Sequence, residues 1–149
     1  MLISRLLEAA PNWEVPYEII FVDDGSSDSS VSIIQNLTES RSNFRIVKLS
    51  RNFGHQPAIS AGIDHALGNA VILMDGDLQD PPEILREFIL KWQEGFDVVY
   101  AIRQKRKEAW AKKIAYKTFY RLLKTISNLD IPLDSGDFCL MDRKVVNVI

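Results

Sequence analysis

The sequence predicts an α/β fold, a mainly parallel sheet flanked by helices, on three observations. Short apolar, β-branched segments alternate with amphipathic ones along the chain. The two densest acidic clusters stand directly after such segments. A composition of 46% hydrophobic and 26% charged residues over 149 positions suffices for one core. Neither a repeat nor a linker interrupts the pattern, so residues 1–149 are read as a single domain.

The segment YEIIFV (17–22) is apolar, β-branched and aromatic, as a strand is, and runs into DDGSSD, a loop signal. In SSVSIIQNLTES, residues Val31, Ile34 and Leu37 recur at helical spacing, with Asp28 as a candidate cap. FRIVKLS (44–50) alternates as a half-buried strand does, PAISAGIDHALG (57–68) reads as a helix closed by Gly68, and AVILM (70–74) as a short strand. Asp80 is then expected to cap a helix opening on Pro81 and Pro82, with Glu83 completing a capping box. Leu85, Phe88 and Trp92 share one face of that helix, and Gly95 stops it. DVVYAI (97–102) is a further strand and 109–126 a further helix.

In open parallel sheets ligands bind beyond the carboxyl ends of the strands, so VDDGSSD and LMDGDLQD are expected on one edge. Asp75 and Asp77 are two residues apart. In an extended chain their carboxylates point the same way, and Gly76 leaves room between them. Two such oxygen donors suit Mg²⁺ or Mn²⁺, which complete their shell with phosphates and water; the plain alternative is an acidic turn in solvent. DDGSSD is either a simple turn or offers Asp23 or Asp24 to a base N–H or to ribose hydroxyls. Neither standard glycine-rich phosphate loop is present, so a bound nucleoside diphosphate has to rely on a metal for charge neutralisation. His55 and His65 lack metal-ligand spacing and are read as surface or packing histidines without a role. Arg51 and Asn52 either reach the same edge or stabilise their loop.

The lone Cys139 excludes an internal disulfide and a cysteine-rich metal site. No apolar run approaches the roughly 20 residues that span a bilayer, and no signal pattern opens the chain, which is therefore read as soluble or peripheral. Residues 103–124 hold nine of the 18 basic residues and one acid, Glu108. On a helix Lys113, Lys117, Arg121 and Lys124 fall opposite Ala115, Phe119, Leu122 and Ile126. That face is either solvated or meets anionic lipid headgroups or a phosphorylated ligand. Nucleic acid is not expected, because no aromatic recognition motif accompanies the charge.

Five blocks, YEIIFVDDGSSDSS, LSRNFGHQPAISAGIDHA, LMDGDLQDPPE, WQEGFDVVYAIR and DSGDFCLMDRKVV, resemble in order the GT-A-fold glycosyltransferases of family 2. Within that family they resemble the polyprenyl-phosphate branch of dolichyl-phosphate mannose synthases and undecaprenyl-phosphate sugar transferases. The resemblance implies a Rossmann-like GT-A fold and inverting transfer of a sugar from a UDP- or GDP-sugar to a polyprenyl phosphate at the cytoplasmic face of a membrane. It implies that Asp75 and Asp77 hold Mg²⁺ or Mn²⁺ on the diphosphate, that Gln79 lines the pocket, and that Asp24, with Asp23, meets the base. Asp137 matches the family's proposed base, and Arg103 and the basic residues after it face the diphosphate or the acceptor phosphate. Asp77 is grouped with Asp137 as catalytic.

The same resemblance makes LISRLLEAA the helix after a first strand and its YNE-like loop, so the chain is expected to be truncated at both ends. An uncovered sheet edge then favours self-association. Cys139 stands where relatives often carry arginine. The competing reading is a catalytically incomplete fragment acting as a nucleotide- or membrane-binding module. An aspartate-nucleophile phosphotransferase is disfavoured, because DGDLQ lacks the Asp-x-Asp-Gly-Thr order.

Overall fold

The structure, a computed structural model, describes residues 2–102 and 135–149. The expected helix over 109–126, the basic face and Arg103 lie outside the described residues.

The chain opens with helix α1 (Leu2–Ala9), which presents Ile3, Leu6 and Ala9 inward and tightens into a 3-10 turn at Ala10–Trp13. Strand β1 (Ile19–Asp23), helix α2 (Ser30–Thr38) and strand β2 (Phe44–Lys48) form a crossover unit in which β1 and β2 pair in parallel, Ile19 opposite Phe44 and Asp23 opposite Lys48. Helix α3 (His55–His65) leads to β3 (Ala70–Leu73), a 3-10 turn at Pro82–Ile84 leads to α4 (Leu85–Gln93), and β4 (Val98–Ile102) follows. After the gap, β5 (Ser135–Asp142) and the short α5 (Arg143–Val146) complete the described chain.

The α/β class and the positions of β1 to β4 are as the sequence implies, while β5 was not expected as a strand. The sheet has a feature that the alternation does not show: β5 lies between β3 and β4 and is antiparallel to both. Parallel pairing is therefore confined, among the described residues, to β1 and β2. Strand β5 is also the centre of the packing, because its side chains alternate between two clusters. Phe138 and Leu140 enter the main core with Leu6, Ala9, Trp13, Leu85, Phe88 and Ile89. Cys139 and Met141 face a smaller cluster with Val71 and Val146. Phe88 and Phe138 stack with ring centroids 4.9 Å apart.

Several local expectations change. Asp28 accepts the Ser30 N–H at 2.9 Å and so steadies the start of α2, but Leu37 on its face is exposed. Helix α3 ends at His65, with Ala66 extended, so Gly68 does not close it. Arginines hold its last carbonyls instead: Arg45 Nη2 reaches His65 O at 2.7 Å, and Arg143 reaches Ala66 O at 2.8 Å. No capping box forms ahead of α4. Asp80 is buried and turns back to the Asp75 N–H at a long 3.5 Å, while Glu83 faces α1 and takes both Arg5 nitrogens at 2.9 and 2.6 Å. A charged partner across the fold outcompetes the helix's own N–H groups. Gly95 does stop the helix. At φ +103 its N–H meets Trp92 O at 2.8 Å and the Phe96 N–H meets Lys91 O at 3.3 Å, the paired bonds of a left-handed C-terminal cap.

Candidate functional site

The carboxyl ends of β1, β2 and β3 each release a loop that carries acids or backbone donors. Because β5 runs against its neighbours, its beginning lies where β3 ends. The register closes with Leu73 paired to Cys139, so Asp137, two residues earlier on β5, lies at the edge from which the chain leaves β3 toward Asp75. An antiparallel strand thus delivers a carboxylate to an edge that parallel strands reach only with their ends. The electrostatics agree: His55 Nε2 sits 2.7 Å from Asp137 Oδ2. The Asp137 bond and charge, with a further contribution from Asp75, outweigh partial desolvation and raise the imidazole above the ordinary histidine range.

The Asp75-to-Asp80 loop is bent rather than extended, because the strand ends at Leu73 and turns at Gly76 and Asp77. This replaces the extended-chain premise for the paired carboxylates. Leu78 takes a left-handed φ of +67 inside that bend. Asp77 accepts the Gln79 N–H at 2.9 Å and Gln79 Nε2 at 2.7 Å, so Gln79 belongs to the same loop surface. Asp75 is half-buried and Asp77 exposed, and a Cβ added at Gly76 meets nothing within 4 Å, which leaves open space beside the two acids. Among the described residues no three His, Cys, Asp or Glu side chains group in a way that could hold a metal ion. An all-oxygen pair with open space suits an ion that keeps water or phosphate in most of its shell, as Mg²⁺ and Mn²⁺ do.

Asp23 and Asp24 divide their tasks. Asp23 is buried, and both of its oxygens lie 3.3 Å from the Ser26 N–H, closing its own turn. Asp24 reaches across to the next loop, where it accepts the Phe53 N–H at 2.7 Å and the Gly54 N–H at 2.8 Å. Gly25 fixes that approach, since at φ +75 a Cβ there lies 2.5 Å from the Arg51 carbonyl carbon. Arg51 stacks its guanidinium 4.7 Å from the centre of the Phe53 ring, the loop-stabilising alternative of the two open to it. A carboxylate offers about four lone-pair positions, so Asp24 retains acceptor capacity beyond the two N–H groups.

His55 is the site residue that sequence reasoning passed over. Its only local signal is its position at the first turn of a helix that starts from an acid-braced glycine. Asp137 was found only through the family motif. Cys139, next to it, is a poor nucleophile, because burial first and the Asp137 charge second push its thiol up.

Residues 2–149 match the family model described as glycosyl transferase family 2. An uncharacterized glycosyltransferase of Synechocystis sp. is 50% identical over 149 residues, covering 99% of this chain and 47% of that protein. The uncharacterized glycosyltransferase YkcC of Bacillus subtilis is 51% identical over 143 residues, 95% of this chain and 44% of that one. A prophage bactoprenol glucosyl transferase homolog of Escherichia coli is 44% identical over 146 residues, 97% and 47% of the two chains. The chain therefore spans about half the length of the curated relatives it matches. Among solved structures, the mannosyltransferase PcManGT from Pyrobaculum calidifontis, in complex with GDP-Man and Mn²⁺, superposes with a TM-score of 0.62 at 20% identity, over 99% of this chain and 42% of that one. S. aureus TarS (residues 1–349) gives 0.56 at 22% identity, over 72% and 34%. Both share the fold.

Proposed function

The chain belongs to glycosyl transferase family 2, and from that premise we propose that it carries out inverting transfer of a sugar from a UDP- or GDP-sugar to a polyprenyl phosphate. The observation that supports this reading is the bond of His55 to Asp137 at the edge where β3 ends, with the Asp75 charge acting on the same imidazole. The bactoprenol glucosyl transferases among the relatives, 44–45% identical, support the acceptor class.

Asp75 and Asp77 are the residues that hold a divalent ion, Mg²⁺ or Mn²⁺, beside Gly76. When bound, such an ion supplies positive charge to the departing nucleoside diphosphate. Asp24 and the loop behind Asp23 bound the side that takes the base, and Gln79 orients Asp77. Arg103 and the basic segment 103–124 supply cations for the diphosphate, the acceptor phosphate or an anionic membrane surface at its cytoplasmic face. Asp137 faces the acceptor. A phosphate monoester has a second pKa of about 6, so its oxygen needs little deprotonation near neutral pH. The task of Asp137 is then chiefly to place the acceptor oxygen, with proton removal secondary. No helix among the described residues is long and apolar enough to cross a membrane.

The test is transfer of radiolabelled glucose or mannose from UDP or GDP donors to a short polyprenyl phosphate with and without Mn²⁺. Metal-dependent product is expected, and Asp75→Asn is expected to lower it by roughly 10²–10³-fold. Metal-dependent nucleotide binding without product supports the binding-module reading instead.

A further inference from the structure

Two loops and the first residues of β5, all distant in sequence, form one continuous strut across the site. Asp24, after β1, grips the backbone N–H groups of Phe53 and Gly54 at 2.7 and 2.8 Å. Gly54, at φ +99, is the last residue before α3, and His55 is the first within it. His55 Nε2 then meets Asp137 Oδ2 at 2.7 Å. We propose that His55 is a positioning residue that sets the orientation of the Asp137 carboxylate, and that Asp24 sets His55 in turn through the braced 53–54 backbone. This rests on reading the edge as the sugar-transfer centre.

The exposure of the pair argues for orientation over stability. The His55 and Asp137 side chains are 55% and 51% exposed, and ion pairs so open to solvent contribute little to folding. An exposed carboxylate left alone samples its rotamers, whereas a transfer centre needs its groups held near one geometry. A hydrogen bond on one oxygen fixes the plane and leaves the second oxygen with acceptor capacity. The strut also ties the loop on the base side to the acceptor-facing acid, so a shift of the 53–54 backbone moves Asp137.

The test is a double-mutant cycle in the full-length protein. His55→Ala is expected to lower kcat by about 10- to 100-fold while changing the donor KM by no more than about twofold. The double variant His55→Ala with Asp137→Asn is expected to be no worse than Asp137→Asn alone. Losses that multiply overturn the proposal, because a merely structural His55 acts independently of Asp137. His65→Ala, at the far end of the same helix, is the control and should match wild type.

A second measurement needs no turnover. The ¹⁵N signals of the His55 ring, followed against pH, should show the titration midpoint falling toward the ordinary histidine value in Asp137→Asn. An unmoved midpoint overturns the pairing. Absence of sugar transfer by the wild-type protein defeats the proposed function, while the ring titration still decides the pairing of His55 with Asp137.

Discussion

In the three-stranded sheet Leu140 is 1% exposed and Phe138 3%, sealed between α1 and α4. In the two-stranded sheet every residue of β1 before Asp23 is only partly buried, and α3 buries none. The second region, in which Phe44 is buried and Ile19 and Phe21 pack against the main core, relies more on polar clasps. Glu18 pairs with Arg45 and accepts the Leu67 N–H at 2.6 Å, Arg45 and Arg143 take the carbonyls that end α3, and Asp24 closes two loops together. The acids of the candidate site come from both regions, and His55 with Asp137 joins them. Apolar burial is insensitive to pH and direction, while hydrogen-bonded clasps fix geometry but respond to protonation. The site therefore has one rigid wall and one adjustable wall.

The largest expected effect probes the rigid wall. Leu140→Ala should cost about 2–5 kcal/mol in urea unfolding, since it opens a cavity where nothing is exposed. Next comes the joint between loops. Gly25→Ala places a Cβ 2.5 Å from the Arg51 backbone at φ +75, and a cost of about 1–3 kcal/mol is expected, with faster amide exchange at Phe53 and Gly54. Unchanged exchange there would show that the loops are not coupled.

Acid should loosen the adjustable wall first. Burial alone would raise the Glu18 carboxyl, but the Leu67 and Gly68 N–H groups and Arg45 outweigh it and leave it below the usual glutamate value. A group depressed in the folded state contributes stability above its unfolded pKa and loses it as pH falls through the folded value. Between about pH 5 and 3, amides of α3 should lose protection before those of β5, and Glu18→Gln should flatten that difference. His55 has the opposite sign. Raised chiefly by Asp137, its contribution is present below about pH 6.5 and fades as pH climbs through its folded value. The smallest effect is expected at Leu37, 44% exposed on α2, where Leu37→Ala should stay within about 0.5 kcal/mol. A loss there equal to that at Leu140 would erase the contrast between the two regions.

The positions of β1 to β4 were legible because alternation and short apolar, β-branched runs both suit strands, as FRIVK and AVIL show; β5 was not. Caps were less so. Asp80 and Glu83 have the residue types of a capping box, yet one is drawn inward and the other to Arg5, a partner 78 residues away. The choice between an extended pair and a turn at Asp75–Asp77 stayed open, because an Asp-Gly-Asp run is compatible with either backbone until its surroundings choose.

By itself the chain determined an α/β class, acids at strand ends and a family likeness, since periodicity and turn chemistry are written locally in residue type. The tertiary structure alone decided that β5 enters backwards between β3 and β4, and with that, that Asp137 meets His55 at the edge where β3 ends. Strand order and register depend on which distant apolar faces bury each other. No local run of residues encodes that choice.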